Sequence, residues 1–571
     1  MKISYIPLIV ASTFLIGCKA ADANENGAET KANAAGQAAM AFTNAIIYQH
    51  ASADTLVVQG SQIAFIGSAE QARKKFPGLK NWQNLEKAFI GPGFIDNHNH
   101  VFEADAEIGG DCDLSDARDV RGYSQILQQC GDELALESTD WMMGYGHELA
   151  ELLKMSNESP LEMLDRLFPE NPVVVMEQTS HSMWVNSKAL QKAGINQQSV
   201  DPQGGRILRE TDGSLSGILL DNAGDRLFEI AWNQQPDLNN AHKRGLKKGL
   251  RKLAENGITT VGDGRLYWKR GWLNTWQQLE QQKQLTARVS IRPWIYPADP
   301  AAPQLEFFRK VYQPDTSRLL VINQVKLYSD GLLQNGTARL LLPYRQTINP
   351  DLPTGLDYIG PDQMPWWLVQ LDKIGYGAHI HAIGDGGTRQ ALDAVEHARE
   401  QGSKQRYGLT HLELVQTEDL PRFQQLSVDA DMQIGNDGTL HADHHWAEPW
   451  LGEDRAAQLM PVKALRIAGA NLTLSSDWNV HELNPLISIA NALELKGQQF
   501  PTVDSAIAAY TINAAKSLGL AETTGSLTVG KAADLVVIDQ DISRVKPAQI
   551  RKAQFLLTML NGRVVYQSAN Y

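Results

Sequence analysis

From residue 241 onward the chain repeats one unit: a short apolar run, a polar or glycine stop, then a one-faced helical pattern. The segment 241–256 places Leu246, Leu250 and Leu253 at i, i+4 and i+7, an amphipathic helix closed by Gly257. Apolar strand patterns follow at 258–261, 288–295, 319–322 with 325–327, 377–381, 407–411, 429–435 and 472–477. Helical patterns at 366–374 and 388–400 fall between them. With the earlier run Phe89-Ile-Gly-Pro-Gly-Phe-Ile-Asp-Asn-His-Asn-His100 the strands number eight. Strands alternating with helices imply an α/β fold with a parallel sheet, and eight such units favour closure into a (β/α)8 TIM barrel. In such barrels chemistry gathers at the C-terminal strand ends.

Those ends carry His98 and His100, Lys326, His381, His411 and Asp477. Residues two apart on a strand point the same way, so His98 and His100 present two imidazoles to one side. Each residue alone has an ordinary explanation. Lys326 can pair with Asp330, His381 can pack in a core, and Asp477 can cap a helix. Together, at equivalent places, they form the kind of nitrogen and oxygen donor set that suits a borderline divalent ion such as Zn2+.

The rest of the chain frames this barrel, expected over 89–518. Residues 101–240 exceed any ordinary strand-to-helix loop and form an inserted subdomain. The insert shows a helical pattern at 161–167 and a strand at 172–176. Strand-and-turn texture at 42–67 returns near 534–538 and 562–566, so 42–88 and 519–571 are expected to build one composite β-sandwich.

Met1-Lys2, an apolar run over 3–17 and Cys18 make an export signal too short to span a membrane. Leu15-Ile-Gly-Cys18 resembles a bacterial lipobox, which implies a signal at 1–18, lipid on Cys18 and a membrane anchor. Lys19 rather than Asp follows, favouring the outer membrane, on the periplasmic or surface side. The Ala-, Asn- and Gly-rich stretch 19–41 reads as a flexible tether. In an oxidising compartment Cys112 and Cys130 either pair or stay as two buried thiols; composition leaves both open. A net charge of −13 and the lack of a basic run exclude a nucleic-acid surface. Association of copies of the chain into a homo-oligomer stays open.

The motifs Gly91-Pro-Gly-Phe-Ile-Asp-Asn-His-Asn-His100, His181-Ser-Met-Trp-Val-Asn-Ser-Lys-Ala-Leu190, Val325-Lys-Leu-Tyr-Ser-Asp-Gly331, His381-Ala-Ile-Gly-Asp385 and Ser475-Ser-Asp-Trp478 strongly resemble the amidohydrolase superfamily. Within it they resemble the YtcJ-like and N-substituted formamide deformylase-like branch. Thr511-Ile-Asn-Ala-Ala515 and Gly525-Ser-Leu-Thr-Val-Gly-Lys-Ala-Ala-Asp534 extend the match. The resemblance implies that His98 and His100 bind one metal ion and His381 and His411 a second. It implies that Lys326, carboxylated on its amine, bridges them, and that Asp477 binds metal and carries a proton. His181 would steady the oxyanion or hold the substrate, or else be a structural residue of the insert. His379 shares the strand side of His381; because the motif begins at His381, His381 is taken as the ligand and His379 as its neighbour. The implied reaction is hydrolysis of a C–N bond in a small amide, formamide or cyclic amide. Deamination, lactone or ester hydrolysis, and a catalytically silent binding protein are the alternatives. Asn479 stands where the family usually has Pro, and His441, His444 and His445 follow the seventh strand. Those three are expected to be solvated or to line the pocket mouth rather than to bind a further ion.

Overall fold

Parallel strands set the frame. The computed structural model describes residues 39–571 except 106–111, 135, 138–139, 236, 436–443, 479 and 570. The expected leader, Cys18, most of the tether, His441 and Asn479 therefore lie outside the described residues. One sheet orders Leu320–Val321, Arg288–Ser290, Ile258–Asp263 and Phe94–Asn99. A second orders Gln324–Tyr328, Gly377–Ala382, Tyr407–His411, Val428–Gln433 and Asn471–Ser475. Every pairing within both is parallel. Leu320–Val321 runs on into Gln324–Tyr328 as one interrupted strand, so the strands are eight among the described residues. The ring closes where Asp477 N–H donates to His98 O (2.8 Å) and Ser476 N–H to Asp96 Oδ1 (3.0 Å). The fold is a (β/α)8 barrel.

The floor of this barrel is polar. Arg292 donates to Asn97 O (2.6 Å), Asn97 Oδ1 (3.0 Å) and Gln324 Oε1 (3.0 Å). Asp431 accepts from Asn97 (3.1 Å), Thr410 (3.0 Å), Gln433 (3.0 Å) and Ser475 (2.7 Å). A buried network of this kind is stable only because its members are paired, and pairing fixes the strands that carry them.

Two sheets built from the chain ends lie outside the barrel. Gln62–Gly67, Thr55–Gln59, Met40–Thr43 and Asn81–Asn84 form one. Ile46–Ile47, Phe89–Pro92, Leu535–Ile538, Phe555–Leu560 and Arg563–Gln567 form the other, in that order. Two expectations change here. The run 89–100 is not one strand: Phe89–Pro92 pairs antiparallel with Leu535–Ile538, and only Phe94–Asn99 enters the barrel. Gly93 makes the handover, because a Cβ there would meet Thr259 Oγ1 at 2.1 Å. The tether also ends early, since Met40 and Ala41 are already strand; Ala41 is buried against Val57 and Ala72.

The insert has its own sheet, ordered Gly205–Arg209, Leu215–Asp221, Ser182–Val185, Val173–Glu177, Met142–His147 and Cys112–Asp113. Its separate core includes Tyr123, Leu127, Met163, Val175, Trp184 and Ile218. Helix Pro160–Leu167 starts on a Ser159/Glu162 capping box with Pro160 in the first turn, where its missing N–H costs nothing. Cys112 and Cys130 form a disulfide, Cα–Cα 5.8 Å, which resolves the open alternative. No helix among the described residues is long and apolar enough to cross a membrane.

Candidate metal centre

His98 and His100 leave the first barrel strand and meet Asp477 beyond the eighth. His98 Nε2 lies 3.2 Å from Asp477 Oδ1, and His100 Nε2 lies 3.0 Å from the same oxygen. All three offer a ligand atom within 4.8 Å of one another. His98 Nε2 is buried without a hydrogen bond, although Asp477 is close. A buried imidazole nitrogen so placed, with a second imidazole and a carboxylate converging on the same point, fits a divalent cation better than a hydrogen-bonded cluster.

The surroundings reinforce that fit. Glu103, on the short helix Val101–Asp105, sits 2.6 Å from His100 Nδ1. Burial opposes charge on His100, yet the Glu103 and Asp477 carboxylates push its pKa up to about 9. Two carboxylates facing one imidazole make a field that calls for positive charge. Arg265 is 3.3 Å from Glu103 Oε1 and donates to Tyr328 Oη (2.9 Å). Burial works against ionised Glu103, but Arg265 and His100 hold its pKa down at about 2. On the other side, His98 Nδ1 meets His379 Nε2 at 2.8 Å. If His98 Nε2 is the ligand nitrogen, Nδ1 carries the proton and donates to His379. A partner on the far nitrogen of a ligating histidine fixes ring and tautomer.

Lys326 is fully buried, with Nζ 3.4 Å from His98 Nδ1. Burial lowers its pKa far below the usual lysine value, against the opposing pull of Asp477. His411 Nδ1–H donates to Gln433 Oε1 (2.9 Å), and Nδ1 stands 3.9 Å from Asp477 Oδ2. His381 packs its ring 4.5 Å from His411 and 4.0 Å from Tyr328, between ring centroids. Two of these residues, His411 (φ 78°) and Asp477 (φ 49°), sit in left-handed backbone. Non-glycine residues hold that conformation at a cost, and sites that need a side chain turned sharply inward are where it recurs.

A cavity of about 300 Å3 opens over this cluster. Its lining includes His100, His181, His381, His411 and Asp477, whereas His98 and Lys326 are buried behind it. His379 is absent from the lining and groups instead with His98 and Asp431 in the barrel floor. His181 reaches the cavity from the insert. Its Nδ1 is 2.6 Å from Asp221 Oδ1, and its backbone O accepts from Asp221 N–H (2.8 Å). With Nδ1 taken by Asp221, Nε2 is the nitrogen left to act. Asp221 itself is held at φ 51°, ψ −132°. His444 also lines the cavity, while His445 is exposed beside Glu448.

A model of the amidohydrolase family matches residues 83–566. The chain belongs to the amidohydrolase family. This amidohydrolase is 25% identical over 539 residues to YtcJ of Bacillus subtilis (strain 168), named as an amidohydrolase, covering 90% of this chain and 96% of that one. It is 24% identical over 541 residues to the N-substituted formamide deformylase of Arthrobacter pascens, covering 91% and 96%. A crystal structure of a metal-dependent hydrolase from Pyrococcus horikoshii superposes with a TM-score of 0.69 at 21% identity, over 90% of this chain and 99% of that one, a likeness of fold.

Several residues of the amidohydrolase site escaped the sequence reading. Tyr328 lies two after Lys326 on the same strand face, a spacing that signals it. Glu103 lies one helical turn after His100, but a helix of five residues has too little pattern to detect. Arg265, Asp221 and Glu413 carry no motif that singles them out.

Proposed function

We propose that this amidohydrolase is a divalent-metal-dependent enzyme that hydrolyses a C–N bond in a small non-peptide amide, formamide or cyclic amide. One observation carries the reading: His98, His100 and Asp477 converge on one point under a cavity that His181 also lines. The named activity of the Arthrobacter relative supports the bond type. His98, His100 and Asp477 would hold one ion, Zn2+ by donor type, and His381 and His411 a second, with carboxylated Lys326 between them. A divalent ion held there supplies water acidic enough to ionise near neutral pH and an electrophile for the carbonyl.

The side chains do the rest. Asp477 accepts the proton of the attacking water and returns it to the departing nitrogen. His181, fixed by Asp221, would hold the substrate through Nε2 or, when Nε2 also carries a proton, donate to the oxygen that gains charge. Tyr328, which accepts from Arg265, keeps its own O–H free to donate beside it.

Metal analysis of the full chain should find about one or two zinc-like ions, and exhaustive chelation should abolish turnover. Assay of N-acyl amines, formamides, hydantoins and lactones, scored by product, identifies the bond cut. Hydrolysis at full rate without metal, or of lactones alone, would overturn the proposal. We further propose that lipid on Cys18 anchors the exported enzyme; Cys18→Ser should release it from membranes, and continued association would refute the anchor.

A further inference from the structure

The charges around the cavity are unequally matched. Asp477 faces His98 and His100. Glu103 faces His100 and Arg265. Arg265, the guanidinium in the lining, is itself occupied by Glu103 and Tyr328. Glu413 is different. It lines the same cavity, two residues past His411, and its Oε2 is buried with no hydrogen-bond partner. Among the described residues no ion pair reaches its carboxylate, and the bond from Met460 N–H (2.8 Å) goes to its backbone oxygen.

Its neighbours do not relieve it. Asp330 only accepts, from the backbone N–H groups of Ile383 (3.0 Å), Gly384 (2.8 Å) and Arg339 (2.9 Å), and offers it no donor. Leu332, Ile383 and Met460 offer only apolar surface to the cavity. A buried carboxyl oxygen left without a donor is costly to the free protein. A ligand that brings the donor recovers that cost, and an analogue lacking it is rejected, which is how buried polar groups create specificity.

We propose that Glu413 is a specificity residue that receives a cationic, N–H-bearing group of the substrate, set apart from the bond that is cut. The substrate class is then an amide carrying an amine or amidine, rather than a carboxylate-bearing N-acyl amino acid. The word substrate rests on the proposed hydrolysis; the recognition does not. Arg265 gives no counter-argument, because its charge is already compensated and would not recruit an anion.

Calorimetric titration of the full metal-loaded chain with three isosteres tests this: benzamidinium, neutral benzamide and benzoate. None needs to be hydrolysed. Benzamidinium should bind about tenfold or more tighter than benzamide, as a charge-assisted hydrogen bond allows, and benzoate should bind weakest. Glu413→Gln, which keeps size and shape, should bring benzamidinium to within about twofold of benzamide. Equal binding of the two by the wild type, or an amidinium preference that survives Glu413→Gln in a variant with native melting behaviour, would overturn the assignment. An amidinium preference lost in Glu413→Gln, in a protein that hydrolyses no amide, would uphold the recognition and count against hydrolysis alone.

Discussion

At the scale of single residues, the centre depends on partners one step removed from the cavity. His98 is aimed by His379, whose Nε2 is 2.8 Å from His98 Nδ1. The other nitrogen of His379 is buried without a partner, so its removal costs nothing there. His379→Leu should therefore lose one interaction, the one that orients His98, and lower metal retention by about 10–100-fold in a chelator competition. His379→Gln, which can still accept, should recover much of it; equal losses in both variants would mean the ring only fills space. Asp477→Asn and His100→Ala should each abolish turnover of whatever amide is cleaved while leaving melting behaviour near wild type. The two histidines of Gly377–Ala382 also mark what a sequence conveys. Period two places His379 and His381 on one side of the strand, and only the motif beginning at His381 distinguished them. Which one reaches the cavity depends on depth along the barrel axis, set by the register of Lys326 with His379 and Tyr328 with His381. That register is a tertiary quantity, and nothing local encodes it.

At the scale of elements, the insert is the part whose interior was least readable. Its strands are short and mixed in direction, so local pattern located only the helix near 161–167 and the strand near 172–176. The disulfide closes a loop with a sequence separation of 18 and ties Cys112–Asp113 to helix Val120–Leu134. A loop of that size implies about 3 kcal/mol of stability. Cys112→Ser with Cys130→Ser should lower insert stability by about that amount in calorimetry, and an unchanged melting profile would show the bond to be dispensable. His147, in strand Met142–His147, gives a second handle. Burial drives its pKa down to about 3, so the folded state keeps it neutral while the unfolded chain, near 6.5, takes up a proton. The unfolded state thus binds more protons between those values, and stability falls as pH drops from about 6.5 toward 3. Within that window His147→Gln should flatten the slope by about 1.4 kcal/mol per pH unit, read from denaturant titrations at a series of pH values.

At the scale of the whole molecule, the two ends of the chain hold the barrel from outside, and the legible and illegible parts of the fold meet there. Alternating strands and helices announce a barrel because each strand is a continuous buried run. The end sheets announce themselves only by texture, and their joint with the barrel turns on Gly93, one residue between two sheets. Across that joint Arg288, on the third barrel strand, points at the tail. Its guanidinium donates to Arg318 O (3.0 Å), Asn561 Oδ1 (2.9 Å) and Asp534 Oδ2 (3.3 Å), and both charged groups are buried. Asp534 also accepts from Asn561 N–H (2.7 Å) through Oδ1, while its backbone oxygen accepts from Gly93 N–H (3.0 Å). One aspartate therefore fastens the barrel, the handover glycine and the tail hairpin together. Asp534→Ala leaves a buried guanidinium without its counter-charge and should cost about 3–5 kcal/mol. Replacing both partners, Arg288→Met with Asp534→Leu, removes charge from both sides and should cost less than the single change, since buried pairs add little beyond their own desolvation. Denaturant unfolding of the three proteins decides it: a double variant as unstable as Asp534→Ala would mean that the hydrogen bonds from Asn561, not the ion pair, hold the tail to the barrel.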